Sequence, residues 1–240
     1  MDNRTISIAI PTYNRYQMTI EAFAQVLDDP RVSEIVIVDD CSTDGSYKQL
    51  QAAAENINLY HTCNVKLYQN DANQDCYWNK RIAVEHCTND WCILLDSDNI
   101  IDTIYLEKLF AIPEWKVDTI YTPSFAKPAF DFRAFAGVTI HKNNVAQLMT
   151  QFPNMEVCLN AANYFVNREE YLLCFDGTKD PCTSDSIFMC YNWLHSGNQI
   201  DVVPGLEYEH RIHDGSHYQN NVHRTAPGFH QEILRKLSQL

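Results

Sequence analysis

The sequence predicts an α/β fold built on a mostly parallel sheet with helices on both faces. Two observations carry that expectation. Short, apolar runs alternate with stretches of helical spacing through the first half, and the apolar runs end in acids or proline. Strands buried on both faces read as near-continuous apolar runs, and parallel neighbours need helical crossovers between them.

The elements follow in order. Residues 6–10 form an apolar run stopped by Pro11, a buried strand, and residues 18–27 carry helical spacing at Ile20, Phe23, Ala24 and Leu27. The run 34–38 (EIVIV) is a second buried strand leading into Asp39 and Asp40. Ser42 and Asp44 are natural caps for a helix over 47–55. A third strand over 65–68, a helix over 77–86 and a fourth strand over 91–95 (WCILL) complete the regular half. Beyond Asp102 the pattern loosens. It predicts helices over 104–110, near 145–149, over 185–195 and over 229–240, with strands over 119–121, 164–166, 200–203 and 206–208. Residues 124–140 are aromatic and without period. No repeat or linker divides the chain, so the expectation is one domain, 1–240, in two functional halves of about 1–102 and 103–240.

The 240 residues are 45% hydrophobic and 20% charged, ordinary for a folded domain with a full core. Seven glycines and nine prolines exclude collagen-like and low-complexity readings. A formal charge of −13 argues against a nucleic-acid partner, which requires a basic field, and suits carboxylates gathered around a divalent cation. No run of eighteen apolar residues is present to span a bilayer, and the opening MDNRTISIAI lacks the features of a signal peptide. Nine cysteines without a CxxC pair read as free, mostly buried thiols. The expected location is cytoplasmic, which leaves room for peripheral membrane contact; oligomeric state is not legible.

The acids matter by position. Asp39 and Asp40 end the second strand, and Asp96 and Asp98 end the fourth (LLDSDN). Ligands of open α/β sheets sit beyond the carboxyl ends of strands, so both pairs are expected to face one crevice. Asp39 by itself is equally a helix-capping residue. Alternate carboxylates at Asp96 and Asp98 suit a hard cation that demands oxygen ligands and leaves positions open for phosphate. A third cluster, residues 208–224 (YEHRIHDGSHYQNNVHR), holds four histidines, Arg211 and Arg224 around Gly215. Singly these are surface residues; as a group they suggest a phosphate-facing loop that closes over its ligand, with His217 and His223 left towards solvent.

In order and spacing, IAIPTYNR, IVIVDDCSTDGS and NKRIAVEHCTNDWCILLDSDNIID resemble glycosyltransferase family 2, the inverting nucleotide-sugar enzymes of the GT-A fold. The match is strong over residues 5–110 and continues weakly through TSDSIFMCYNWLHSG and YEHRIHDGS. The resemblance implies a Rossmann-like sheet flanked by helices, with a less regular acceptor-binding half after it. It places Pro11, Thr12, Tyr13, Asn14 and Arg15 in the turn that touches the nucleotide, with Asn79 and Ser97 beside the donor. Asp40 falls at the carboxylate that binds uracil and Asp96 at the residue meeting ribose or metal. Asp98 falls at the direct ligand of Mn2+ or Mg2+, His213 at a late histidine reaching metal or diphosphate, and Asp185 at the catalytic base. The implied activity is hexosyl or N-acetylhexosaminyl transfer from a nucleotide-sugar, UDP-linked, to a glycan or glycoconjugate hydroxyl, with inversion and metal assistance.

The sequence departs from the family pattern at Ser184, where an acidic neighbour of the base is usual, which makes Asp176 and Asp180 alternatives to Asp185. Residues 70–79 lack the family's glycine, and no QxxRW motif of processive synthases is present. Two rival readings keep the fold. One is a nucleotidyltransferase, although PTYNRYQM lacks a glycine-rich basic loop; the other is an inactive nucleotide-sugar-binding module. A dinucleotide oxidoreductase has no GxGxxG to rest on. In the second half, Phe125, Phe130, Phe132, Phe135 and Trp193 either offer flat faces to sugar rings or fill the core.

Overall fold

The computed structural model describes residues 4–161, 163–178, 181–214 and 228–240. A ten-stranded sheet runs through the molecule. Its first strands are β1 (Ile6–Thr12), β2 (Val32–Asp39), β3 (Asn64–Gln69) and β4 (Trp91–Leu94). They lie parallel in the order β3-β2-β1-β4, joined by α1 (Tyr16–Phe23), α2 (Ser46–Tyr60) and α3 (Asp75–His86). All seven residues of β1 are buried, as a central strand covered on both faces requires. The sequence reading of this half holds to within a few residues at element ends.

The second half contributes β5 (Asn99–Ile100), α4 (Thr103–Phe110), β6 (Thr119–Lys127), β7 (Phe130–Asp131), β8 (Thr139–His141), α5 (Val145–Gln151) and α6 (Met155–Asn160). After them come β9 (Phe165–Asn167), α7 (Arg168–Cys174), α8 (Asp185–His195), β10 (Gln199–His210) and α9 (Phe229–Leu237). The sheet continues β4-β9-β6-β10-β5, with β9 antiparallel to both neighbours and β10 parallel to β6.

Three differences from the sequence reading have local causes. Residues 200–203 and 206–208 belong to one strand, because Pro204-Gly205 forms a bulge instead of a break. Gly205 takes φ +72°, the register shifts there, and the Ser124 hydroxyl accepts from Gly205 N. The N-cap position of α2 is Gly45 at φ +89°, while Asp44, one of the two expected caps, accepts from Ser46 N through its Oδ1 at 2.9 Å. Ser42 is drawn away, its Oγ accepting from Asn14 N at 2.7 Å. Helices α6 and α7 are too short to show a period and are fixed by packing, α6 through buried Met155, Cys158 and Leu159. Of the aromatics that the sequence left open between sugar faces and core, Phe132, Phe135 and Trp193 are core residues.

Cys63, Cys87, Cys92, Cys158, Cys174 and Cys190 are free and buried, and Cys41 and Cys76 are free and half-buried. Among the described residues no helix is long and apolar enough to cross a membrane.

Candidate active site

The carboxyl ends of the parallel strands open into a crevice of about 1330 Å³. It is lined by Pro11 to Arg15, Asp40, Asn79, Asp96, Ser97, Asp98, Asp185 and His213, all named from the sequence. Its walls come from both halves of the chain. Residues with left-handed backbone that are not glycine are uncommon. Asn14, Cys41, Asp75 and Asn163 adopt it here, with φ between +53° and +75°, all in or beside the loops of this crevice. Strained backbone of this kind gathers where a loop is shaped for a ligand.

One end of the crevice is built from amides. Asp40 N donates to Thr12 O at 2.8 Å, tying the ends of β1 and β2 together. Its carboxylate Oδ1 accepts from Asn70 Nδ2 at 2.7 Å and from Gln74 N at 2.8 Å. Asn79 holds this wall in place, donating to Val38 O at 3.0 Å and accepting from the same Asn70 amide. Burial pushes the Asp40 carboxyl above its ordinary range, with Asp75 and Asp39 adding to the rise and the amide donors opposing it. Asp39 has a different task. It turns its Oδ1 to Ser42 N and Gln69 Nε2, organising the turn after β2. Asp39 therefore closes a turn ahead of α2 and does not cap the helix.

The other end is built from charges. Asp96 and Asp98 follow β4, but their carboxylates take different cations. Asp98 Oδ2 meets Arg15 Nη1 at 2.6 Å and His213 Nε2 at 3.1 Å, whereas Asp96 Oδ1 meets Lys80 Nζ at 3.1 Å. The two carboxyls shift in opposite directions. Burial raises Asp96, helped by the negative charges of Asp98 and Asp185. Burial also opposes ionisation of Asp98, but Arg15, His213 and His210 outweigh it and hold the carboxyl below its ordinary value. Arg211 knits the backbone beneath them, donating to the carbonyls of Asp98, Ser97 and Met18 and pairing with Glu21.

Asp185 begins α8 and is buried against Lys80, its Oδ2 accepting from Nζ at 2.7 Å. The rival Asp176 caps a turn through Thr178 and does not line the crevice; Asp180 lies outside the described residues, as do Gly215, His217, His223 and Arg224. Sequence reasoning missed Lys80, which the motif NKR holds without marking. It also missed Glu156 and His230, where His230 Nε2 meets Glu156 Oε1 at 2.7 Å and Nδ1 meets Ser184 Oγ at 2.8 Å. No sequence signal pairs residues from α6, the start of α8 and α9; only folding brings them to one wall.

Asp98 and His213 are the adjacent donors that a divalent cation could use. Among the described residues no group of three histidines, cysteines or acids completes a metal centre of protein ligands alone. Mg2+ and similar hard cations are commonly held by one or two carboxylates with phosphate oxygens and water completing the shell. The residues fit a cation shared with a diphosphate.

A family model described as glycosyl transferase family 2 matches residues 7–172. The chain belongs to glycosyl transferase family 2. Over 99 residues it is 33% identical to an Escherichia coli (strain K12) protein described as a colanic acid biosynthesis glycosyl transferase, WcaA, a match spanning 41% of this chain and 34% of that one. Among solved structures it is similar to S. aureus TarS 1–349 in complex with UDP-GlcNAc, with TM-score 0.71, 18% identity, 97% of this chain covered and 65% of that one. The mannosyltransferase PcManGT from Pyrobaculum calidifontis, in complex with GDP-Man and Mn2+, superposes with TM-score 0.70, 15% identity and coverage of 98% and 65%. The family 2 chain thus has the GT-A fold expected from its motifs. It spans about a third of the length of the WcaA relative and just under two thirds of these two solved chains.

Proposed function

We propose that this family 2 chain transfers a hexosyl or N-acetylhexosaminyl group from a UDP-linked sugar to a hydroxyl of a glycan or glycoconjugate, with inversion. The observation that carries the reading is the single crevice joining Asp40, the Asp96–Asp98 turn and Asp185 across both halves of the chain. The relatives in complex with UDP-GlcNAc and with GDP-Man support a nucleotide-sugar ligand on this fold.

The base of the nucleotide would lie at the amide-built end, where Asp40 Oδ1 is already held and Oδ2 carries no protein hydrogen bond among the described residues. Pro11, Thr12, Tyr13 and Asn14 would close that end, with Asn79 behind it. The diphosphate would lie at the charged end, between Arg15, Ser97 and His213. Asp98 and His213 would hold Mn2+ or Mg2+, which when bound supplies positive charge against the departing diphosphate. Asp96, in the same turn as Asp98, would meet the ribose or the metal.

Asp185 is the group placed to take a proton. As the acceptor oxygen bonds to the anomeric carbon, its hydrogen passes to the Asp185 carboxylate and the carbon–oxygen bond to the diphosphate breaks. Attack from the face opposite the leaving group inverts the centre. Arg15 would meet the charge that develops on the diphosphate.

A panel of UDP-, GDP- and dTDP-sugars, assayed with and without Mn2+ and with and without added saccharide acceptors, tests the reading. The expected result is Mn2+-dependent release of UDP from a UDP-sugar, accelerated by an acceptor. Binding of a nucleotide-sugar without turnover under any acceptor would favour an inactive binding module. Pyrophosphate release from a nucleoside triphosphate and a sugar phosphate would favour a nucleotidyltransferase.

A further inference from the structure

Lys80 is a cation that no part of the donor chemistry requires, yet it is among the most enclosed charges in the molecule, 7% exposed on α3. A lysine in a crevice suited to a diphosphate invites the reading of a phosphate contact. Its hydrogen bonds point elsewhere. An ammonium has three N–H donors, and Nζ meets three acceptors: Asp185 Oδ2 at 2.7 Å, Asp96 Oδ1 at 3.1 Å and Ser186 Oγ at 3.2 Å. All its donors are spent on protein. The two carboxylates come from opposite halves of the chain, Asp96 from the turn after β4 and Asp185 from the start of α8. The pairing leaves Asp185 Oδ1 as the oxygen without a protein hydrogen bond among the described residues. A carboxylate free to rotate would present either oxygen; this one is held by Oδ2.

We propose that Lys80 is a positioning residue for turnover: it binds Oδ2 of Asp185, presents Oδ1 to the acceptor hydroxyl, and fixes the base half of the crevice to the donor half through Asp96. The proposal rests on the assignment of Asp185 as the base. A displacement of about 1 Å in a reacting group can cost on the order of 10²-fold in rate, so the effect belongs in kcat and not in donor binding.

The experiment is a double-mutant cycle on the full chain, reading kcat, donor KM and UDP affinity by calorimetry. Lys80→Met should lower kcat ~10²-fold with donor KM and UDP affinity within about threefold of the unsubstituted chain. In an Asp185→Asn background it should cost little further, because groups acting as a unit are non-additive. Removing a cation from between buried carboxylates threatens folding. If Lys80→Met does not fold, Lys80→Arg keeps the charge but replaces a tripod of donors with a planar fork. It should fold, keep UDP affinity, lose kcat at least ~10-fold, and show the same non-additivity with Asp185→Asn. Unchanged kcat in whichever variant folds, fully additive losses, or a loss of UDP affinity matching the loss of kcat would overturn the role of Lys80. Full turnover by Asp185→Asn would overturn the base assignment itself, a separate outcome.

Discussion

At the amino end of β2, Glu34 accepts hydrogen bonds from Ser7 Oγ, Thr88 N, Thr88 Oγ1 and Lys66 Nζ, so both its oxygens are engaged. At the carboxyl end of the same strand, Asp40 has one oxygen held by amides, and Asp39 leaves Oδ2 buried without a partner. Burial opposes ionisation of Glu34, but Lys66, Ser7 and Thr88 overcome it and hold the carboxyl down at about 2, against an ordinary 4.5. Burial wins at Asp40 and at Asp96, and both are raised. A satisfied acid holds the fold together, while an under-satisfied one is kept at a cost that a ligand can relieve. The same sheet therefore separates a structural end from a functional one.

The largest expected effect that tests this contrast is at Asp98. Asp98→Ala should abolish metal-dependent turnover while circular dichroism shows the fold retained, with some loss of melting temperature because Arg15 and His213 lose their partner. Full turnover by this variant in the presence of chelator would refute the metal role. Next is Asp185→Asn, nearly isosteric but unable to take a proton, for which kcat should fall by ~10²–10⁴ with UDP affinity little changed. Turnover surviving there, and silenced instead by Asp176→Asn or Asp180→Asn, would move the base to the preceding loop. Third, His213→Ala should weaken UDP binding by about tenfold while uridine, which needs only the Asp40 end, binds as before. Equal losses for both ligands would make His213 a support of the fold.

The smallest effects are on stability, and their signs should differ between the two ends. Glu34→Gln should cost ~1–3 kcal/mol in denaturant unfolding, from broken charge-assisted hydrogen bonds, with kcat unchanged. The pH dependence follows from the sign of the shift. With a folded value near 2 and an ordinary value of 4.5, Glu34 contributes full stability above about 4.5, and that contribution is lost as pH falls towards about 2. For Asp40 the shift is upward, so ionisation weakens the fold as pH rises through the carboxylate range. Asp40→Asn should therefore leave stability equal or slightly higher at pH 7 while uridine affinity drops. A stability loss at Asp40 as large as that at Glu34 would erase the distinction between the two ends.

The halves of the chain differ in legibility for a reason visible in their contacts. Between Ile6 and Leu94 each strand pairs in parallel with strands nearby in sequence, each crossover is a helix, and the acids at strand ends share a crevice by topology. In the second half, β9 enters antiparallel between β4 and β6, and β10 reaches across from late in the chain to pair with β6, β5 and β8. Partners this distant leave no local signal, which is why the short strands β5, β7 and β8 were not legible. Likewise, the aromatics of 124–140 could not be sorted in advance: Phe132 and Phe135 went to the core while Phe130 stayed on the crevice wall.

The sequence by itself determined the parallel half, the strand-end acids and the family, because apolar runs, turn residues and motif spacing are local properties. Only the tertiary structure decided which cation each acid receives: Arg15 and His213 for Asp98, Lys80 for Asp96 and Asp185, Lys66 for Glu34. Those pairs join different elements, two of them across the halves of the chain, and the direction in which each carboxyl shifts is set by burial and by partners that only folding brings within reach.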